Sequence, residues 1–321
     1  METENAPGEN QPIKIGGSTT PQAKEQRPVT PRGDKSSDAM EATAPVSDGR
    51  SRFTSIAGRV ARAELPTGAV LLALENRATP IVAIRASLRA GSYFEPRDKP
   101  GLARLTAEML ERGTRSRTKL QIAGELEAVG AELEFSADTF AVQVSGRTLS
   151  KDFPRFLETL AEILREPSFP ADELQKLKQQ TVAAIQEQQA NTRFRAYEKL
   201  TQVIFDPANP FFVPSGEKLT KSINSITVED VREFYQQRYG GRSLILAVSG
   251  DVKTSDMKSQ FADAFGDFAG PESIEINVAD SVPQDGRREV VVLKEKASVD
   301  VILGCAAPLR RDAGDYYAAL L

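Results

Sequence analysis

The chain has 321 residues, of which 40% are hydrophobic and 27% are charged, and its net charge is −4. These proportions are those of a globular protein of one or two domains, and no stretch approaches the roughly 18 to 20 apolar residues that span a bilayer. The small net charge argues against a nucleic acid or an anionic membrane as partner, because both attract concentrated basic surfaces.

Residues 1–52 contain no aromatic residue and are rich in Pro, Gly, Ser, Thr and charges of both signs. Such a segment buries too little apolar surface to offset the entropy of ordering, so we predict a disordered tail. Nothing after Met1 resembles the apolar core of about 7 to 15 residues of a secretory signal peptide. We therefore expect a cytoplasmic protein, and a periplasmic one if the start codon is misassigned.

From Phe53 the pattern is typical of a folded domain. Runs of apolar residues bounded by turn residues predict strands at Val70–Leu74 and Ile81–Leu88. Two further strands, Leu133–Phe135 and Thr139–Ser145, are predicted to form a half-buried hairpin. A further apolar strand, Ser243–Val248, ends at the turn Ser249-Gly250-Asp251.

Helices are predicted between these strands. The first runs from Leu102 to Glu111 and stops near Gly113, and the second covers Thr118–Val129. Asp152 opens a third helix, in which six apolar residues fall on one face: Phe153, Phe156, Leu157, Leu160, Ile163 and Leu164. A long helix begins near Ala171 and continues past Ile185. Thr227 and Asp230 resemble a capping box that opens a last helix, with Val231, Phe234 and Tyr235.

The opening pattern then repeats about 220 residues later. Val290–Ala297 and Val299–Ala307 are interpreted as strands, and Tyr316–Leu321 as a helix. A repeat at this distance favours a duplicated domain rather than a solenoid. We expect a tail at 1–52, a first domain at 53–275 and a truncated second copy at 276–321, so that the chain is a fragment or ends early.

The helix at Gly101–Thr114, with the preceding Gly91-Ser92 and Glu95, resembles the signature segment of the pitrilysin/insulinase (M16) zinc peptidases. In that family an inverted H-x-x-E-H motif places two zinc-binding histidines on one helical face, and the glutamate between them activates water. This sequence contains no histidine and a single cysteine, Cys305.

Carried over position by position, the resemblance puts Arg104 and Glu108 at the two histidines and Ala107 at the glutamate. The family's third ligand, a downstream glutamate, corresponds to Ala184. Because arginine cannot be a metal ligand and zinc sites need about three protein ligands, we predict no catalytic residue, no metal and no cofactor here. Arg104 and Glu108 are interpreted as an i,i+4 charge pair, either exposed or plugging the former metal cavity.

Weaker similarities extend the resemblance over residues 53–321. They lie in Leu174–Ala196, in Val248–Val252, and in Asn209-Pro210-Phe211-Phe212, where many active members have His-Pro-Tyr. The resemblance implies an α+β fold of the M16 type (LuxS/MPP-like metallohydrolase), a mixed, mostly antiparallel sheet packed with helices.

In function, the resemblance implies an inactive M16 homologue. It would pair as a heterodimer with a motif-bearing M16 subunit and help to bind peptide substrate in a shared chamber, with no nucleic acid or membrane involved. Two alternatives stay open: a structural scaffold without a role in proteolysis, and a nonfunctional truncated fragment.

Three other features have simpler interpretations. Cys305 lies in an apolar stretch and is expected to be a buried, inert thiol. Lys176, Lys178, Gln179 and Gln180 are expected to form a solvated helix face. The Arg and Lys residues between 85 and 119 either line a chamber or are scattered surface charges.

Overall fold

A computed structural model of the protein describes residues 56–272, 274–278, 286–293, 296–297, 299–307, 313–314 and 316–319. The tail predicted at residues 1–52 lies outside the described residues. The expected domain boundaries remain predictions.

Six strands form one sheet in the order β1-β2-β6-β3-β5-β4. They are β1 (Ala61–Glu64), β2 (Val70–Glu75), β3 (Ile81–Leu88), β4 (Glu132–Ala137), β5 (Val142–Leu149) and β6 (Leu244–Gly250). All neighbours are antiparallel except β2 and β6, which confirms the predicted mixed, mostly antiparallel sheet. Strand β1 was not predicted, because its sequence ARAE alternates only small alanines with charged residues and it forms a largely exposed edge.

Strand β6 lies between β2 and β3, although those two are neighbours in sequence. The polar turn at residues 76–80 therefore does not close a hairpin. Gly250 ends β6 with φ of +139°, and a Cβ there would lie 2.0 Å from the Ile81 carbonyl oxygen. Only glycine fits this close approach of backbones.

Eight α-helices are described before residue 272, together with short 3₁₀ turns. They are α1 (Leu102–Met109), α2 (Lys119–Ala128), α3 (Phe153–Arg165), α4 (Ala171–Gln189), α5 (Thr192–Ile204), α6 (Gly216–Ser225), α7 (Val228–Arg238) and α8 (Thr254–Phe265). The predicted helices are all present. Thr118 and Thr227 both accept a hydrogen bond in capping boxes that open α2 and α7.

Three of these helices were not predicted. Helices α5 and α6 have mostly polar buried residues, such as Glu198, Thr201 and Ser222, so they lack an apolar stripe. Helix α8 buries Met257, Phe261 and Phe265 at four-residue spacing. That spacing is a helical signal in the sequence.

The core lies between one face of the sheet and the helices. In β3 the buried residues alternate with exposed ones, and α3 buries all six of its predicted apolar residues. The opposite face of β3 carries partly or largely exposed residues, among them Ile81, Ala83 and Arg85. One face of this sheet is thus left open.

The strands predicted at Val290–Ala297 and Val299–Ala307 are not present: the described residues of both stretches belong to no strand. Val292 is 81% exposed and Leu303 is 90% exposed. A strand needs a neighbour for its N–H and C=O groups, and these described residues pair with neither edge of the six-stranded sheet. The helix predicted from Tyr316 is present as α9 (Tyr316–Ala319). Residues 320–321 lie outside the described residues.

Candidate functional site

Helix α1 carries the positions that the resemblance matches to the metal motif, and Gly101 and Glu95 fix its start. Gly101 has φ of +98°, and a Cβ there would lie 2.6 Å from the Ile223 side chain. The Glu95 carboxylate accepts hydrogen bonds from the backbone N–H groups of Gly101 at 3.1 Å and Ala103 at 2.7 Å. These contacts satisfy N–H groups that a helix start leaves unpaired.

Glu95 is partly buried, and burial raises its pKa to about 7, although the two backbone hydrogen bonds oppose the rise. A carboxyl group with such a pKa loses its proton near neutral pH. Glu95 belongs to the segment that resembles the M16 signature, but nothing in the sequence indicated that its pKa is raised.

Arg104 and Glu108 form an ion pair on α1. The Arg104 Nε lies 2.7 Å from Glu108 Oε1, and the side chains are 43% and 30% exposed. The predicted i,i+4 pair is therefore confirmed, and its partial exposure excludes the alternative of a buried plug. Exposed pairs of this kind contribute about 0.2 to 0.5 kcal/mol.

The other two former motif positions carry only methyl groups. Ala107 is fully buried on α1, and Ala184 is half-buried on α4, which packs against α1. The two helices are also bridged by Arg112, which ends the 3₁₀ turn that follows α1. It donates to Glu173 at 3.2 Å and to Gln180 at 3.1 Å, so polar side chains join the helices that hold the metal in the family.

The zinc that the resemblance implies does not fit this set of donors. A guanidinium and two methyl groups offer no ligand, and the Glu108 carboxylate is already paired with Arg104. Among the residues that the structure describes, no group of three or more Asp, Glu or Cys side chains is placed to hold a metal ion. A site with one carboxylate falls short of the three protein ligands of catalytic zinc.

A cavity of about 1260 Å³ opens beside the first turn of α1. Arg104 lines it together with Asn209, Pro210 and Phe212, so the structure brings one former motif position next to the segment that replaces the family's His-Pro-Tyr. The Asn209 side chain accepts from the Phe211 N–H at 2.9 Å, which holds that segment in a tight turn.

Aromatic rings form a chain along this cavity. Tyr93 contacts Phe140 with ring centroids 5.7 Å apart, Phe140 contacts Phe211 at 5.8 Å, and Phe211 contacts Phe205 at 5.8 Å. Tyr93, Phe205 and Phe212 belong to the lining itself. Rings in such contact present a rigid apolar wall.

Residues 274–278 run along the edge of the cavity. The Tyr93 hydroxyl donates to the Asn277 carbonyl at 3.0 Å and accepts from the Asn277 N–H at 3.3 Å. Asn277 and Val278 complete the lining. Tyr93 and Asn277 are 184 residues apart in sequence, and no local pattern indicated that they meet.

Of the cations between residues 85 and 119, Arg97 and Arg104 line the cavity, and Lys218 of α6 joins them. Both interpretations of this charged stretch, chamber lining and scattered surface charge, thus apply, but to different residues. Arg117, for example, contacts Glu125 and Glu162 instead. Lys218 was missed, because a lysine at a helix start has no distinctive sequence signal.

Two predictions for other residues were wrong. Cys305 is exposed rather than buried, since the stretch around it is not a strand. Lys178 is only 6% exposed, whereas Lys176, Gln179 and Gln180 lie in solvent as predicted. The Lys178 ammonium donates to the carbonyls of Asn224 and Ile226, both at 2.8 Å, and so satisfies the end of α6. Burial lowers its pKa.

Glu187, the acidic residue nearest to Ala184 downstream, is exposed and lines a separate cavity of about 550 Å³ with Tyr197 and Ile302. It does not replace the missing ligand. In the described part of the chain, no helix is long and apolar enough to cross a membrane.

Comparison with known proteins gives two matches to family profiles. The profile of Insulinase (Peptidase family M16) matches residues 71–209, and the profile of the Peptidase M16 inactive domain matches residues 225–321.

Curated relatives are similar over more than half of the chain. The non-peptidase homolog YmxG of Helicobacter pylori is 26% identical over 179 residues, which is 56% of this chain and 41% of the relative. The mitochondrial-processing peptidase subunit beta of Rattus norvegicus is 25% identical over 202 residues, 61% of this chain and 40% of the relative. The chain thus spans less than half the length of these relatives.

Solved structures share the fold. The peptidase M16 inactive domain from Pseudomonas fluorescens superposes with a TM-score of 0.64 at 26% identity, over 70% of this chain and 54% of that one. The periplasmic protease PqqL from Escherichia coli superposes with a TM-score of 0.61 at 13% identity, over 71% and 26%. The α+β fold is therefore that of M16 peptidases. Since two profiles of one family together account for most of the sequence from residue 71 onward, the chain belongs to the M16 peptidase family.

Proposed function

We propose that this chain is a non-catalytic M16 subunit that helps to bind peptide substrate in a chamber shared with a catalytic, motif-bearing partner. One observation carries the proposal. The zinc positions of α1 hold the Arg104–Glu108 pair and the buried methyl of Ala107, yet a cavity of about 1260 Å³ remains open beside them. Chemistry is removed while a volume for binding is retained.

The size and lining of the cavity support a peptide as the ligand. Pockets for small molecules occupy about 300 to 1000 Å³, and this cavity is larger. Its wall combines aromatic rings and prolines with a few charged groups, among them Arg104 and Lys218. Such a mixture suits an extended segment with both apolar and polar side chains.

The similarity to mitochondrial-processing peptidase subunit beta supports the second part of the proposal, because that relative is named as a subunit. The open face of the sheet offers further surface that a partner could cover. The partner in question would be an M16 chain with an intact H-x-x-E-H motif from the same source.

Co-expression with such a chain tests the proposal. We expect a complex on size-exclusion chromatography with light scattering, and faster peptide hydrolysis by the complex than by the partner alone. Elemental analysis after dialysis should find about one zinc per complex, all contributed by the partner. The partner expressed alone, and its variant with both motif histidines changed to alanine, are the controls.

Each outcome decides a part of the proposal. A complex with unchanged hydrolysis would instead support a scaffold role. One zinc per chain in this protein purified by itself, or peptidase activity without the partner, would overturn the non-catalytic assignment.

A further inference from the structure

Hydrogen-bond donors and acceptors in the wall of the large cavity differ in how many partners they have. Among the described residues, the side chains of Arg97 and Lys218 have no ion-pair or hydrogen-bond partner, and both residues are exposed. Arg104 uses its Nε for Glu108. A guanidinium has five N–H donors and an ammonium has three. The wall therefore offers donors to a ligand.

Asp138 is one of three carboxylates in the wall, and it accepts hydrogen bonds from the protein itself. Its Oδ1 accepts from the N–H groups of Phe140 at 2.8 Å and Ala141 at 2.7 Å, and its Oδ2 accepts from the Gln143 amide at 2.9 Å. The protein thus occupies three of the roughly four acceptor positions of this carboxylate.

The other two carboxylates of the wall are also engaged. Glu95 accepts from the N–H groups at the start of α1, and burial raises its pKa to about 7, so its negative charge is incomplete at neutral pH. Asp206 accepts from the Ala208 N–H at 2.8 Å. Glu95 and Asp138 thus accept from the protein with both carboxylate oxygens, and Asp206 with one. Among the described residues, Arg97 and Lys218 have no such partner.

We infer that this cavity selects peptides with an acidic side chain, whose carboxylate pairs with Arg97 or Lys218 of the wall. The inference rests on the proposed function in one respect, that the ligand is a peptide. The aromatic wall formed by Tyr93, Phe205 and Phe212 receives the apolar residues that flank the acidic one. For a basic side chain the described carboxylates of this wall offer mainly the Oδ2 of Asp206, since those of Glu95 and Asp138 accept from the protein with both oxygens.

The expected preference is modest, because the cations are exposed. A solvent-exposed charge pair contributes about 0.2 to 1 kcal/mol, which corresponds to about 1.4- to 5-fold in binding. Since one carboxylate pairs with one cation, the preference for an acidic over an isosteric neutral peptide is expected within this range. Screening by salt reduces this preference.

Fluorescence anisotropy with the full chain tests the inference. Three labelled ten-residue peptides are compared at 50 mM and 300 mM NaCl; they share apolar flanks and differ only in a central Glu, Gln or Lys. We expect affinity to fall in the order Glu, Gln, Lys, and the Glu-over-Gln preference to shrink at high salt. R97Q and K218Q should each reduce that preference. Their folding is checked by circular dichroism.

Lys221→Gln is the matched control. Lys221 is an exposed lysine of the same helix α6, but it is not part of the cavity wall. The variant K221Q should keep the full preference for the Glu peptide. Equal loss in K221Q and K218Q would reduce the effect to general surface charge and overturn the inference.

The two proposals fail separately. Equal affinity for the Glu and Gln peptides, or the absence of any peptide binding, overturns the acidic preference even if the chain still stimulates a catalytic partner. Retained acidic preference without complex formation overturns the shared-chamber function and leaves the preference standing.

Discussion

Residues 70–88 and 290–307 have nearly the same pattern, an apolar run, a polar turn and a second apolar run. The first region forms β2 and β3. Their inward side chains, such as Leu71 and Ile84, are at most 2% exposed. In the second region Val292 and Leu303 are largely exposed, and the described residues belong to no strand.

The difference lies in the neighbours. Strand β6 is inserted between β2 and β3 and hydrogen-bonds to both, so the inward residues of all three strands pack against the helices. The described residues of 290–307 have no such strand beside them. A segment with an alternating pattern therefore forms a strand only where it can hydrogen-bond to a free sheet edge and pack its apolar side chains against a helical layer.

The largest effect is expected from removing a side chain at the centre of the sheet. Leu246 in β6 is fully buried, and Leu246→Ala should lower the free energy of unfolding by about 2 to 5 kcal/mol, because a cavity remains. The matched change Leu303→Ala, at 90% exposure, should change it by less than about 0.5 kcal/mol. Urea unfolding followed by circular dichroism measures both; similar losses would mean that residues 299–307 pack as firmly as β6.

A second prediction concerns the pH dependence of stability that the partly buried carboxyl group of Glu95 causes. Because burial raises the pKa of Glu95 from 4.5 to about 7, the folded protein keeps the proton that the unfolded chain releases. Glu95 thus favours the folded state at low pH, and this contribution is lost as the pH rises from about 4.5 to about 7. The variant Glu95→Gln cannot titrate at this position. Over this pH range its free energy of unfolding should therefore rise by about 1 to 3 kcal/mol relative to that of the wild type.

Unfolding of both proteins in urea at pH 5, 6, 7 and 8 measures this change. The quantity compared is the difference in stability between variant and wild type at each pH, so that other titrating groups cancel. A difference that stays constant from pH 5 to pH 8 would contradict the raised pKa.

A third prediction compares two lysines that the sequence placed on the same polar face. Lys178→Met should cost about 1 to 3 kcal/mol, because the carbonyls of Asn224 and Ile226 lose the ammonium that serves the end of α6. Lys176→Met removes exposed ion pairs with Asp172 and Glu173 and should cost at most about 1 kcal/mol. Thermal unfolding measures both variants; equal costs would argue that Lys178 is solvated after all.

The smallest effect is expected at Cys305, the sole cysteine. Since it is exposed, its thiol should react with Ellman's reagent in the native protein within about threefold of the rate in urea. Cys305→Ser should leave the free energy of unfolding unchanged within about 0.5 kcal/mol. Protection of the thiol by tenfold or more in the native protein would place residues 299–307 inside a packed structure.

Several elements could be predicted from the sequence because the signals are local. The apolar stripe from Phe153 to Leu164 predicted α3, and the capping box at Thr227 predicted the start of α7. The pairing of Arg104 with Glu108 also followed from spacing alone, because residues four apart lie on one helical face.

Other features depend on residues far apart in the chain. The insertion of β6, the burial of Lys178 and the meeting of Tyr93 with Asn277 have no local signal. The cavity is likewise assembled from α1, the turn at Asn209 and the start of α6.

The sequence by itself determined that no histidine stands in the helix that resembles the zinc motif, since a residue that is absent cannot be supplied by folding. Only the tertiary structure decided what stands in its place. The neighbours that the fold brings within hydrogen-bonding distance decide whether a lysine is solvated and whether an apolar run becomes a strand. They also decide whether a cation such as Lys218 finds a partner among the described residues.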